Sequence, residues 1–137
     1  MSQKYFRALI LLYVALLVAG AIAAFIPGYS QELSEALDNE PASPILDNLW
    51  LMFGLLVPFA LAAFAGTFGL YMFKSWGRSL SLYSTLAGLI LFPFFGPTLY
   101  SGLESSLFEA STLVWGAILA LSYYSAVSGS FDPNKKE

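Results

Sequence analysis

Four long apolar runs alternate with short polar segments along this chain. At 1.5 Å per residue, each run is long enough to cross a hydrocarbon core of about 30 Å as a helix. The pattern predicts an all-α integral membrane protein, with residues 1–128 forming one domain of four transmembrane helices in an antiparallel bundle. The spans cover about residues 8–26, 47–73, 79–99 and 106–128. The polar residues 129–137 are predicted to form a flexible cytoplasmic tail.

The first run also has a second interpretation, because Ala21-Ile22-Ala23 resembles the cleavage site of a signal peptide. The run from Ala8 to Ile26 is longer than the usual apolar core of such a peptide, so we expect an uncleaved helix. Pro27-Gly28 should end it, since proline cannot continue the backbone ladder.

The first loop after this helix contains a second, shorter helical pattern. Residues 30–38 predict a short amphipathic helix in the first outer loop, with Ser30 at its N-cap. It is either a docking element or a surface helix on the lipid headgroups, and the surface helix is the simpler interpretation. Ser43-Pro44 should then start the second span, with proline in its first turn.

The fourth span is preceded by two sequences of the form S-x-x-E. Ser101 with Glu104 and Ser106 with Glu109 both match a capping box, in which serine and glutamate satisfy backbone donors at a helix start. We expect the span to begin near Ser106, where Glu109 would serve as part of the cap.

Charge is scarce, and its distribution predicts an orientation. Only 11% of the residues are charged, against about 25% in soluble domains. All six Lys and Arg residues lie before the first span, between the second and third spans, or after the fourth. Most of the nine acidic residues lie in or beside the other two loops. The positive-inside rule therefore places both termini in the cytoplasm.

The residue types exclude several classes of chemistry. The chain has no cysteine and no histidine, which removes disulfides, thiol chemistry, Cys/His metal sites and histidine catalysis. No catalytic residue, metal ligand or cofactor is predicted, and six dispersed cations offer no groove for nucleic acid. We therefore expect a protein that is not an enzyme.

Two prolines fall within predicted spans and mark a candidate pocket. Pro58 and Pro93 each remove a backbone hydrogen bond, and a carbonyl freed at membrane depth is tolerated where it is satisfied again or lines a cavity. The simpler interpretation is a pair of packing kinks; the alternative is an aromatic pocket for a lipid tail or quinone between the second and third helices. The candidate ligand-binding residues are Phe53, Pro58, Phe59, Phe92, Pro93, Phe94, Glu109 and Trp115.

The turn between the second and third spans carries candidates for binding anionic lipid headgroups. These are Lys74, Trp76 and Arg78, which combine positive charge with an interfacial aromatic ring. Anchoring the loop at the membrane surface is sufficient to explain them, so membrane lipids are the simplest partner.

Small residues recur four apart on every predicted span, and such faces let membrane helices approach closely. Either they all pack one monomer, or one of them forms an oligomer. They are Ala15, Ala19 and Ala23, beside Gly20 and Ala24; Ala62 with Gly66, and Ala65 with Gly69; Ser84 and Gly88; and Thr112, Gly116 and Ala120. The absence of charge at the centre of any span argues against proton-coupled transport.

The main functional hypothesis is a non-enzymatic membrane protein that acts by assembling with itself or with a larger membrane partner. One alternative is a binder or conduit for an apolar ligand, lipid or quinone, between the second and third helices. Another is a small oligomeric channel lined by the Ser/Thr face of the fourth helix.

The segment Gly66-Thr-Phe-Gly-Leu-Tyr-Met-Phe-Lys-Ser-Trp-Gly-Arg-Ser-Leu80 resembles the second-helix end and cytoplasmic turn of small bacterial DoxX-like membrane proteins. The plan of four spans with a longer first outer loop is also similar. The resemblance implies a multi-pass protein of the bacterial inner (plasma) membrane, and some members of that family accompany quinone-linked oxidoreductases. It implies no active-site residue in this chain.

Overall fold

The structure is a computed structural model, and it describes residues 2–26, 28, 30–39, 43, 45, 47–96 and 98–132. The described part of the chain contains five α-helices: α1 (Gln3–Ala23), α2 (Gln31–Asp38), α3 (Leu49–Tyr71), α4 (Ser75–Leu91) and α5 (Gly102–Tyr124). Two 3₁₀ helices, Phe92–Phe95 and Ala126–Phe131, follow α4 and α5.

Four of these helical segments are long and apolar enough to cross a membrane. They are α1, α3, α5 and the continuous segment Ser75–Phe95, which joins α4 to the first 3₁₀ helix. The prediction of an all-helical chain with four candidate spans is confirmed. The short helix predicted in the first loop is present as α2.

Two helix boundaries differ from the predicted ones. α3 begins at Leu49 rather than at Ser43-Pro44, because Asn48 caps it and its side chain accepts a hydrogen bond from the Leu51 amide at 3.2 Å. Pro44 lies outside the described residues. α4 ends at Leu91, earlier than the predicted limit at residue 99, since Pro93 cannot donate to an α-helical ladder and falls in the 3₁₀ helix.

α5 begins earlier than expected, at the first of the two capping sequences. Ser101 Oγ accepts from the Glu104 amide at 3.2 Å, and Glu104 Oε2 accepts from the Ser101 amide at 3.3 Å. Ser106 lies inside the helix, where its hydroxyl donates to the Gly102 carbonyl at 2.8 Å. Glu109 is therefore not part of a cap, contrary to the prediction.

Glycine lets α3 and α4 cross closely as an antiparallel pair. A Cβ atom built on Gly69 would lie 2.7 Å from Gly77 Cα, and one built on Gly66 would lie 2.7 Å from Ser81 Oγ. Further along, Phe59 packs against Gly88, so the pair stays in contact towards the far end of α4.

α1 and α5 form the second antiparallel pair, joined mainly by aromatic rings. Tyr13 stacks on Trp115 with ring centroids 4.6 Å apart. A Cβ on Gly20 would lie 3.0 Å from the ring of Phe108, which shows that the ring packs directly on the glycine.

The two pairs meet in a compact core at one end of the bundle. Its fully buried members are Phe6, Ile10, Leu70, Ile118, Val127 and Phe131. We call this end, which carries Arg7, Lys74 and Arg78, the cationic end, and the other, which carries Glu104 and Glu109, the acidic end.

The predicted tail does not begin at residue 129. Residues 126–131 form the second 3₁₀ helix, and Phe131 is 2% exposed because its ring fills the core at the cationic end. Residues 133–137 of the predicted tail lie outside the described residues.

Candidate functional sites

Three phenylalanine rings close the cationic end. Phe6, Phe73 and Phe131 contact one another pairwise, with centroid separations of 5.7, 5.8 and 5.3 Å. They come from α1, the turn after α3 and the second 3₁₀ helix. Aromatic pairs in such tilted or edge-on arrangements are stabilised beyond their buried area, so this triplet ties three separate segments together.

Two arginines flank the triplet in matching ways. The Arg7 guanidinium lies 5.1 Å from the ring of Tyr71 and 5.2 Å from that of Phe73. Its Nε donates to the Tyr71 carbonyl at 3.3 Å. Each contact joins α1 to the end of α3.

Arg78 does the same between α4 and the end of α5. Its guanidinium lies 5.4 Å from the ring of Tyr123 and 5.0 Å from that of Phe131, and its Nη1 donates to the Ser122 carbonyl at 3.3 Å. Cation–π contacts of this kind strengthen as water is excluded. Both arginines therefore connect the two helix pairs at the cationic end.

The turn between α3 and α4 places Phe73 in this cluster through an unusual backbone conformation. Phe73 has φ of 54°, a left-handed value that glycine normally adopts at this point of a helix end. The Lys74 amide donates to the Gly69 carbonyl at 2.8 Å and the Phe73 amide to the Leu70 carbonyl at 3.1 Å. This is the Schellman pattern, with a large side chain in place of glycine.

The candidate headgroup residues divide into two kinds. Lys74 and Trp76 are exposed, whereas Arg78 is half-buried and engaged with rings and a carbonyl. Arg7 was not among the candidates, although from a more exposed position it makes the same kinds of contact as Arg78, with two rings and a carbonyl. Its contacts join positions 64 residues apart, and no local pattern in the sequence signals them.

A shallow apolar depression lies between α3 and α4 at the acidic end. Its enclosed part measures about 10 Å³, and the space within and around it about 200 Å³. Phe59 and Phe92 meet there edge to face, with centroids 5.9 Å apart. The lining residues are Leu55, Leu56, Phe59, Leu91, Phe92 and Phe95.

The structure brings only two of the candidate ligand-binding residues into this depression, Phe59 and Phe92. Phe53 and Pro58 are exposed on α3, and Pro93 and Phe94 are exposed on the 3₁₀ helix after α4. Leu55, Leu56 and Leu91 were not among the candidates, because leucine carries no distinctive signal in an apolar span. Phe95 was not among them either, although it adjoins Phe94.

The other two candidates, Trp115 and Glu109, lie on α5 and outside the lining. Trp115 donates through Nε1 to Thr85 Oγ1 at 2.8 Å, which links α5 to α4 near the middle of the bundle. Glu109 is exposed on the outer surface of α5.

That outer surface of α5 carries the small residues predicted at four-residue spacing. Thr112, Gly116 and Ala120 are all exposed, and a Cβ atom on Gly116 would meet no atom within 4 Å. In contrast, the glycines in the stripes of α1, α3 and α4 each contact another helix. We call the surface formed by Glu109, Thr112, Leu113, Gly116 and Ala120 the α5 outer face.

Two serine hydroxyls of α5 point the other way. Ser111 and Ser122 are buried and donate to carbonyls of their own helix, Phe108 and Leu119, at 2.8 Å each. Such back-bonds satisfy a hydroxyl without a partner helix. These two hydroxyls lie inside the bundle, whereas Thr112 is exposed on the α5 outer face, so the channel hypothesis stays a prediction.

Among the described residues, no group of three His, Cys, Asp or Glu side chains could hold a metal ion. No family model, curated protein or solved structure matches this chain.

Proposed function

We propose that this protein is a non-enzymatic, multi-pass membrane protein that acts by assembly, docking the α5 outer face on a transmembrane helix of a partner. The observation that carries the proposal is Gly116, which is exposed and has free space around it in the middle of a long apolar helix. The charge distribution and the DoxX-like segment favour the bacterial inner membrane, with both termini in the cytoplasm.

The physical basis is the way membrane helices associate. Lipid provides no hydrophobic drive between helices, so close packing through small residues supplies the attraction. On α1, α3 and α4 these contacts are already made within the protomer. The α5 outer face has the same small-residue spacing, and its shallow centre between Thr112 and Ala120 suits a second helix.

A second candidate function is the binding of an apolar ligand, such as a lipid tail or quinone, at the depression between α3 and α4. The Phe59–Phe92 contact supports it. The enclosed space of about 10 Å³ is far below the 300–1,000 Å³ of most small-molecule pockets, so assembly is the better-supported function.

The proposal is tested by crosslinking in native membranes. A photoreactive amino acid replaces Leu113 on the α5 outer face or Phe64 on α3, two side chains that are both 77% exposed. We expect a discrete adduct from position 113 and a diffuse lipid background from position 64.

Specificity is tested with a pair of glycines that both have free space in this structure. Gly116→Leu should abolish the adduct from position 113, because the new side chain fills the shallow centre of the face. Gly54→Leu, at an exposed position of α3, should leave the adduct from position 113 unchanged. An adduct that survives Gly116→Leu, or no adduct from position 113, overturns the proposal.

A further inference from the structure

We infer that Glu109 lies within the membrane and pairs with a basic side chain on the transmembrane helix of a different protein. This inference rests on the proposed docking of the α5 outer face and names the chemistry of the partner. It starts from the depth of Glu109, which the boundaries of α5 and the arginine contacts now define.

The arginines give the level of one membrane surface. Arginine within a span reaches its charged group towards the interface, and the Arg78 guanidinium is bonded to the Ser122 carbonyl. A span of about 20 residues counted back from Ser122 ends at Gly102, the first residue of α5.

Residue counts from the arginines on the neighbouring helices place the opposite membrane surface at the same level as Gly102. About 20 residues from Arg78 lead to residue 98, just beyond the 3₁₀ helix that ends at Phe95. Gly28, 21 residues after Arg7, adjoins Ser101, the residue that caps α5. Glu109, seven residues inside α5, therefore lies about 10 Å below the surface at the acidic end.

Within the described part of the chain Glu109 has no hydrogen-bond or ion partner at this depth. Glu104 shows the contrast, since it is 7% exposed and accepts from the Ser101 amide in the cap. Glu109 points away from the bundle, and seven residues, close to two helical turns, bring Gly116 onto the same face. A carboxylate in that position is costly in lipid and is normally paired.

A second copy of this chain, inserted in the same orientation, offers no pairing charge at this level. Lys4, Arg7, Lys74 and Arg78 lie at the cationic end, and Lys135 and Lys136 follow the last span in the sequence. Two copies inserted in the same orientation would instead place Glu109 against Glu109, which repels. The complementary partner is a helix of another protein, with a Lys or Arg in its outer third and small residues near its centre.

The test uses synthetic transmembrane peptides and the full-length protein in lipid vesicles. The peptides consist of alanine and leucine with a central Gly-xxx-Gly, and they carry Lys, Leu or Glu about 10 Å from the outer end. Binding is measured by energy transfer between labels on protein and peptide. We expect the Lys peptide to bind about tenfold more tightly than the Leu peptide, the range of one interhelical polar contact.

Glu109→Gln should abolish the preference for Lys over Leu, and Glu109→Lys should transfer it to the Glu peptide. The control Glu35→Gln, on exposed α2, should preserve the preference for the Lys peptide. This reversal is a readout that a merely structural role of Glu109 would not give.

The outcomes separate this inference from the proposed function. Equal binding of all three peptides, abolished by Gly116→Leu, would overturn the role of Glu109 and leave docking on α5 in place. No binding of any peptide, together with no adduct from position 113 in native membranes, would overturn both. An adduct from position 113 that joins two copies of this chain would overturn the assignment to a different protein.

Discussion

The two ends of the α3–α4 pair are built from the same kinds of residue and differ in what those residues contact. At the cationic end, glycines on both helices approach each other, and Phe73 is inserted between rings from α1 and the C-terminal segment. At the acidic end, Phe92 and Phe94 are 59% and 60% exposed, and α4 gives way to a 3₁₀ helix at Pro93. Aromatic content alone therefore does not indicate a core in a membrane chain.

The difference lies in what else converges at each end. The cationic end receives three chain segments and two arginines, so each ring of the Phe6, Phe73 and Phe131 triplet meets other rings. The acidic end of α3 and α4 offers rings to a shallow depression. One end joins the two helix pairs in a buried core, while the other leaves apolar surface exposed.

The largest expected effect concerns the glycine crossing. Gly77→Leu should prevent the native fold, because a Cβ there overlaps the backbone around Gly69. Gly54→Leu on α3 is the control, and it should unfold at nearly the wild-type concentration of denaturing detergent. Folding of both variants can be followed by circular dichroism; native stability of Gly77→Leu would show that the crossing is not close.

Removing a buried ring at the cationic end should lower the free energy of unfolding far more than removing an exposed ring at the acidic end. Phe131→Ala is expected to lower the free energy of unfolding by about 3–4 kcal/mol, since it empties a fully buried site. Phe94→Ala removes an exposed ring and should cost about 0.5 kcal/mol or less. Equal losses in equilibrium unfolding would remove the distinction between the ends.

The arginine contacts can be tested by comparing two variants that each lose one positive charge, so that the net charge is the same in both. Arg78→Gln should cost about 1–2 kcal/mol, because it loses two ring contacts and a hydrogen bond to Ser122. Lys74→Gln removes the same charge from an exposed side chain and should change stability by about 0.5 kcal/mol or less. Similar losses in the two variants would mean that net charge, and not ring contact, is responsible.

The sequence predicts the helices well and their contacts poorly. Apolar length alone is enough for the four candidate spans, and the Ser101–Glu104 motif marks the start of α5 through local bonds. The predicted start near Ser106 is wrong, because both motifs fit the pattern and the cap bonds form at Ser101 and Glu104, while the Ser106 hydroxyl bonds inside the helix. Phe131 was assigned to a loose tail because the rings that bury it come from α1 and the α3–α4 turn.

Long-range contacts also explain which candidate site residues came together. Phe59 and Phe92 are neighbours because α3 and α4 are antiparallel, which the short turn between them predicts. Trp115 was a candidate for the same pocket, and it lies instead between Tyr13 and Thr85. Depth in the membrane can be read from spacing along a helix, whereas the direction in which a side chain points depends on neighbours.

The smallest expected effect tests the strain at the cationic end, at Phe73. Both Phe73→Ala and Phe73→Gly lose the ring contacts, so both should be less stable than wild type. At φ of 54°, however, alanine keeps the unfavourable left-handed conformation, which costs about 1 kcal/mol more than glycine there.

We therefore expect Phe73→Gly to be the more stable of the two by about 1 kcal/mol, measured by equilibrium unfolding in detergent. Ala120 in regular, exposed helix is the control: Ala120→Gly should lower stability by about 1 kcal/mol, the usual order. If Phe73→Ala proved more stable than Phe73→Gly, the turn would not hold residue 73 in the left-handed region. The ring triplet would then be positioned by some other backbone geometry.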